Sequence, residues 1–148
     1  LLLENSRKMR REENVKDLLM ELSEKVLKLM NLSVVFYVRK DEKTTGPWLF
    51  PREGVSKEEL GKTQDEKERA VVDWVMANKK RAGCCTHTLP DAKAMYLPVK
   101  TSEEIYGVMG IILEEKREIP SFEYGLLTAM LNEAALVFAR IYLVQKEK

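Results

Sequence analysis

An α+β architecture, an antiparallel sheet flanked by helices with a long helix at either end, is predicted by three features of the chain. Long stretches at both termini carry apolar residues at three- and four-residue spacing, the period of an amphipathic helix. Between them lie short runs rich in Val, Ile, Tyr and Phe, the composition of buried strands. Those runs come in neighbouring pairs joined by short turns, so they form antiparallel hairpins, and helices must cover the sheet.

The N-terminal helix occupies residues 1–30, with its periodic pattern clear from about residue 4. Val15, Leu18, Leu19, Leu22, Val26, Leu29 and Met30 make one stripe, and no Gly or Pro interrupts it. Glu21 with Lys25 and Glu24 with Lys28 are i,i+4 pairs in the favourable order. Residues 33–39 (Ser-Val-Val-Phe-Tyr-Val-Arg) read as a buried strand. Residues 41–47 read as a turn punctuated by Gly46-Pro47, and 48–50 as a short second strand ended by Pro51. Residues 52–64 are charged and carry two glycines, so they read as loop, with a short helical turn between Gly54 and Gly61.

A second helix is expected over 65–80. Asp65 caps it, Ala70, Val71, Trp74, Val75 and Ala77 line its apolar side, and Gly83 serves as a stop. Residues 94–99 form a strand in which Pro98 implies an edge or a bulge. Residues 101–104 turn into a second strand at 105–113, where Gly107 and Gly110 imply close approach of neighbouring groups. Ser121 is read as the N-cap of a last helix over 121–148, with Leu127, Met130, Leu131, Ala134, Phe138 and Ile141 on one stripe and Leu126, Val137 and Val144 widening it. The core unit is therefore 31–120, between the two terminal helices.

Composition narrows the function. The 148 residues hold 25 basic and 24 acidic side chains, a net charge of +1, which argues against a general nucleic-acid binder. Cys84 and Cys85 are the only cysteines and are adjacent, so a disulfide framework is excluded and a reducing compartment is expected. The chain begins at Leu1 rather than Met, and it starts and stops within helical patterns, as expected of a piece of a longer protein. Leu1–Leu3 followed by Arg7, Lys8, Arg10 and Arg11 fits the cytoplasmic flank of a transmembrane helix, or the start of an ordinary amphipathic helix.

The densest chemistry sits at Cys84-Cys85-Thr86-His87. Adjacent ligands and a single histidine suit a tetrahedral metal poorly, so no metal site is expected. A Cys-His nucleophile would lack an orienting third group, so no catalytic residue is assigned. A redox-sensing thiol requires Arg81 or nearby lysines to lower a thiol pKa. The plain reading is small residues filling a tight loop. A ligand pocket beside the 81–90 loop, if one forms, would use Trp74, Cys85, His87 and Tyr96. The terminal helices carry the stronger signal: their stripes suit a symmetric dimer that transmits motion, through Leu18, Leu22, Val26 and Leu29 with Leu131, Ala134, Phe138 and Ile141.

A run spaced Trp74-x-x-x-Asn78-x-x-x-Ala82-Gly83-x-x-Thr86-x-Thr88-Leu89-Pro90 is followed by Ala94-Met95-Tyr96-Leu97-Pro98 and Tyr106-Gly107-Val108-Met109-Gly110. These residues resemble the GAF-like domain of the KdpD family, the potassium-responsive membrane sensor histidine kinases. The motifs cover roughly residues 70–112, and the element order extends the likeness over about 30–145. The resemblance implies a GAF-like sheet in a cytoplasmic domain of a membrane protein, between transmembrane helices and the dimerising, ATP-binding kinase region. It implies a homodimer that meets a response regulator only through the intact kinase, with no cofactor of its own. The chain departs from kinase and ligand-binding patterns in several places. His87 lies in Thr-His-Thr-Leu-Pro rather than a phospho-acceptor motif, no Gly-rich ATP lid is present, and neither cysteine is flanked as a bilin-attachment residue would be.

Overall fold

The computed structural model describes residues 2–146. Leu1, Glu147, Lys148 and the side chains of Val144, Gln145 and Lys146, all included in the expected terminal helices, lie outside the described residues. The chain runs α1 (Leu2–Met30), β1 (Val34–Lys40), β2 (Lys43–Phe50), α2 (Lys57–Lys62), α3 (Glu66–Asn78), β3 (Ala82–Gly83), β4 (Ala94–Lys100), β5 (Ile105–Ile112) and α4 (Ser121–Lys146), with a 3-10 turn at Glu114–Lys116. The five strands form one antiparallel sheet in the order β2-β1-β5-β4-β3, so the α+β prediction stands.

Both faces of the sheet are covered. Val34, Phe36, Val38, Met95, Leu97, Val99, Met109 and Ile111 point into one core with α1 and α4. Val35, Tyr37, Ala94, Tyr96 and Val108 point into the other, with α2 and α3. This alternation is the two-residue period of a strand applied to a sheet buried on both sides.

Several boundaries differ from the sequence reading, each for a local reason. The 41–47 turn shrinks to Asp41-Glu42, both at left-handed φ (50° and 62°), and β2 starts at Lys43. The register slips between Phe36 and Val38, opposite Gly46-Pro47, whose peptide is cis. A bulge on an edge strand accommodates a Gly-Pro pair that a regular ladder would reject. The loop over 52–64 contains α2, closed by a capping box in which the Ser56 hydroxyl accepts from Glu59 N and the Glu59 carboxylate accepts from Ser56 N.

Asp65 caps α3 as expected, accepting from Glu68 N at 3.0 Å. The helix ends at Lys79 in the left-handed region (φ 57°), not at Gly83, which belongs to β3. Its buried face is Glu68, Val71, Val72, Val75 and Met76, while Ala70 and Ala77 are exposed. Pro98 sits where the prediction puts it: β3 pairs with β4 only opposite Met95 and Tyr96, so the rest of that β4 edge needs no N–H donor at Pro98. At α4, the Pro120 carbonyl accepts from Tyr124 N at 2.9 Å, which makes Pro120 the cap and Ser121 the first helical residue.

The open ends of α1 and α4 are pinned together. Tyr106, Phe138 and Tyr142 stack nearly parallel with centroids 5.7–6.2 Å apart, and the Arg11 guanidinium lies 5.4 Å from the Tyr142 ring centre. Lys40 meets Glu12 at 3.1 Å, tying β1 to α1.

Gly107 and Gly110 are where the backbone allows no side chain. A Cβ on Gly107 would lie 2.5 Å from the Tyr37 carbonyl oxygen, and one on Gly110 would lie 2.5 Å from the Tyr96 ring. Gly107→Ala therefore forces two strands apart and is expected to lower stability by about 1–3 kcal/mol, read from the urea midpoint.

Candidate functional site

The interior between the sheet and α3 is filled by a polar knot. Tyr37 donates to Gln64 Oε1 at 2.6 Å, Gln64 Nε2 donates to the Tyr96 hydroxyl at 3.1 Å, and Tyr96 donates to Glu68 Oε1 at 2.7 Å. The same carboxylate accepts from the backbone N–H groups of Lys93 (2.9 Å) and Ala94 (3.3 Å). Glu68, Gln64, Tyr37 and Tyr96 are all buried. A carboxylate in such a place needs its oxygens satisfied, and three donors do so. Among the described residues no buried side-chain polar atom is left without a partner.

The motif residues of the 74–90 run build the adjoining loop. Asn78 Nδ2 donates to the Trp74 carbonyl at 2.9 Å. The Thr86 hydroxyl lies 2.8 Å from both the Gly83 and Thr88 carbonyls and accepts from Thr88 N at 3.2 Å. Gly83 N reaches the Thr88 carbonyl at 2.8 Å, and a Cβ on Gly83 would collide with the Ala94 carbonyl. These residue types at these spacings close a tight loop onto the start of β4.

The four residues named for a ligand pocket are not brought together. Tyr96 is fully buried in the α3-side core and Trp74 is half-buried at its margin. Cys85 packs against the opposite core, on the α4 side of the sheet. His87 is exposed. Trp74 belongs to α3, Cys85 and His87 to the turn after β3 and Tyr96 to β4, and the sheet lies between the cores that Cys85 and Tyr96 join.

The two thiols sit side by side, Sγ to Sγ 3.4 Å, unlinked, with Cys85 donating to the Lys116 carbonyl at 3.5 Å. Burial, and then the hydrogen bond with Cys85, pushes the Cys84 thiol up to about 11. That is opposite to the lowered pKa expected of a redox-sensing thiol. Arg81 is engaged elsewhere, its guanidinium 5.0 Å from the Tyr124 ring centre. Among the described residues no group of three His, Cys, Asp or Glu side chains could hold a metal.

The helix residues named for a dimer divide. Leu22, Val26, Leu131, Ala134 and Phe138 are buried in the core that α1 and α4 share with the sheet. Leu18 and Ile141 line a groove of about 280 Å³ between the two helices, rimmed by Asp17, Glu21 and Glu133. Leu29 is half-buried. What α4 leaves outside is a second apolar stripe: Phe122 (77% exposed), Leu126 (40%), Leu136 (61%) and Leu143 (56%), with exposed Ala129 between them. By length and composition Ser121–Leu143 could cross a membrane, with mean hydropathy 1.4. Its other face is committed to the sheet and α1.

A five-stranded antiparallel sheet between a pair of long terminal helices and a pair of short ones matches known structures along most of the chain. The native GAF domain of the potassium sensor histidine kinase KdpD from Escherichia coli superposes with a TM-score of 0.69, covering 90% of this chain and 87% of that one at 19% identity. The chain has the GAF fold. A GAF domain/HD domain protein from Geobacter sulfurreducens matches at TM-score 0.62 and 12% identity, covering 87% of this chain and 94% of that one. The Sensor protein KdpD of Clostridium acetobutylicum is 31% identical over 87 residues, which are 58% of this chain and 9% of that relative. No family model matches the sequence. The chain is thus a GAF-like domain similar to that of KdpD sensor proteins.

No motif in the sequence marks Glu68 or Gln64, and Tyr37 reads only as part of a buried strand. A signal for Glu68 exists: it shares the 68-71-72-75 face with three valines, and a charge on an apolar face demands buried partners.

Glu68→Ala removes the acceptor from two backbone donors and one phenol, and is expected to lower stability by on the order of 3 kcal/mol in urea denaturation. Burial pushes the Tyr37 hydroxyl from 10.0 up to about 12 and raises Tyr96 also. The unfolded chain therefore ionises first, so this stabilisation is complete below pH 10 and lost as pH rises from 10 to about 12. Ultraviolet titration is expected to show two tyrosines ionising only as the GAF domain unfolds.

Proposed function

We propose that this GAF domain is a non-catalytic sensor and signal-relay module of a KdpD-like sensor histidine kinase, serving a two-component response to potassium or osmotic conditions. The likeness to KdpD proteins supports the setting. The chain corresponds to only 9% of the Clostridium relative's length, so membrane attachment, kinase activity and the response regulator belong to the intact protein. In this reading α1 receives a displacement from the membrane side and α4 carries it toward the kinase, with the domain on the cytoplasmic face.

The observation that carries the reading is the apolar stripe on the outer face of α4. Phe122, Leu126, Ala129, Leu136 and Leu143 recur at heptad-compatible spacing, with Glu133 and Arg140 in the intervening positions. Exposed apolar residues that recur along one side of a helix, even with Glu133 and Arg140 interrupting them, mark a candidate interaction surface. The occupant we assign is the same stripe of a second copy, because a shared face gives a closed two-fold pairing. The buried leucines and Phe138 then act inside each copy, coupling α4 to α1 and the sheet. A small-molecule pocket beside the 81–90 loop receives no support, since Tyr37, Gln64, Glu68 and Tyr96 occupy that interior.

Sedimentation velocity at high micromolar concentration is expected to give a dimer. Leu136→Glu, at a position 61% exposed in one copy, is expected to leave the fold intact and weaken the dimer by roughly tenfold or more, the ~1.5–3 kcal/mol of a buried leucine. A monomeric wild-type chain under those conditions overturns the dimer.

A further inference from the structure

The proposed relay makes no use of the cysteine pair, whose geometry is unusual. Adjacent residues in extended chain send their side chains to opposite sides. Here Cys85 adopts a left-handed φ of 66°, uncommon for a residue with a Cβ, and its sulfur comes back to 3.4 Å from that of Cys84. The two thiols form a directed chain: Cys85 donates to the Lys116 carbonyl, which leaves Cys84 to donate to the Cys85 sulfur. Cys84 is buried in the α4-side core, whereas Cys85 is partly exposed and gives access from solvent.

We propose that Cys84 and Cys85 form a vicinal-dithiol site for trivalent, thiophilic arsenic, and that its occupancy is felt at Lys116, at the entrance to α4. A tetrahedral zinc needs further ligands, and the described residues offer no third His, Cys, Asp or Glu. A disulfide between neighbours would close a strained ring and would need an oxidant. An organoarsenical needs two soft sulfur donors and one atom of space between them, and soft thiolates suit it. With phenylarsine oxide the step balances without any redox change. Two As–S bonds form, the arsenic–oxygen bond is lost, and both thiol protons leave with that oxygen as one water. The raised Cys84 pKa makes adduct formation faster as pH rises, since both protons must go.

The link to α4 is local. The Cys85 thiol proton that reaches the Lys116 carbonyl is lost on ligation. Glu115 and Lys116 are both left-handed (φ 60° and 54°), in the short segment that leads to Ser121. Arg81, on the strand side of the same loop, stacks on Tyr124 in the first turn of α4. A bulky group on the dithiol therefore loosens the segment over 114–124.

The test is intact-mass spectrometry of the folded 148-residue chain with equimolar phenylarsine oxide, with circular dichroism as the control for folding. One arsenical per chain is expected, with loss of one water. It should be removed by 2,3-dimercaptopropanol and resist excess glutathione, a monothiol. Cys85→Ser, at a half-buried position, and Cys84→Ala should each abolish the glutathione-resistant adduct. No adduct on the folded chain, an adduct that forms only in denaturant, or one that survives Cys85→Ser overturns the site. Hydrogen exchange over 114–124 is expected to quicken in the adduct, and unchanged exchange there overturns the coupling to α4. None of these readouts depends on the dimer, so the two proposals stand or fall separately.

Discussion

The side chains of β1, β4 and β5 alternate between two buried layers, and the roles of the helices follow from that alternation. Val34, Phe36 and Val38 face α1 and α4, while Val35 and Tyr37 face α2 and α3. A sheet wet on one side would tolerate polar residues at every second position. This one does not, so each polar group sent inward must bring its own partners. Glu68 is the case in point: it enters from α3 and is met by two backbone donors at the start of β4 and by the Tyr96 hydroxyl. That single carboxylate fixes α3 on β4, and with Gln64, Tyr37 and Tyr96 it fills the α3-side interior with a closed set of hydrogen bonds.

The same constraint explains why the 74–90 run contributes structure rather than chemistry. Thr86 and Gly83 spend their hydrogen bonds on the loop itself, and Asn78 on the last turn of α3. The histidine among them is exposed, and the cysteines fall on the other side of the sheet from Tyr96. A motif dense in reactive residue types is here a loop-closing motif. The cysteines alone keep unassigned reactivity, because a left-handed Cys85 sets two sulfurs together.

On the α4 side the apolar surface exceeds what one domain can bury. Leu127, Leu131, Ala134, Ala135 and Phe138 go inward, and Phe122, Leu126, Leu136 and Leu143 stay out. Those exposed residues are the physical basis for placing the proposed dimer on the outer stripe instead of on Leu131 or Phe138, which the core of each copy already buries. Signal transfer would then pass through a packed interior in which α1, the sheet and α4 share one core, and small shifts are passed on because such cores deform little.

Local pattern alone determined the long terminal helices, β1 and the β4–β5 hairpin, the Asp65 cap, the edge position of Pro98 and the tight approach at Gly107 and Gly110. Each follows from a property of a few neighbouring residues: periodicity, a side chain that caps, a missing N–H, a missing Cβ. Tertiary structure decided that the stripe of Leu127, Leu131, Ala134 and Phe138 was spent inside the domain and that Phe122, Leu136 and Leu143 stayed outside. It also decided that β2 would extend through Gly46-Pro47, because the ladder with β1 rewards pairing across the bulge. It split Cys85 from Tyr96 and filled the α3-side interior with Glu68, Gln64, Tyr37 and Tyr96. That polar filling depends on contacts between residues 25–32 positions apart, and no local pattern encodes which distant groups will meet.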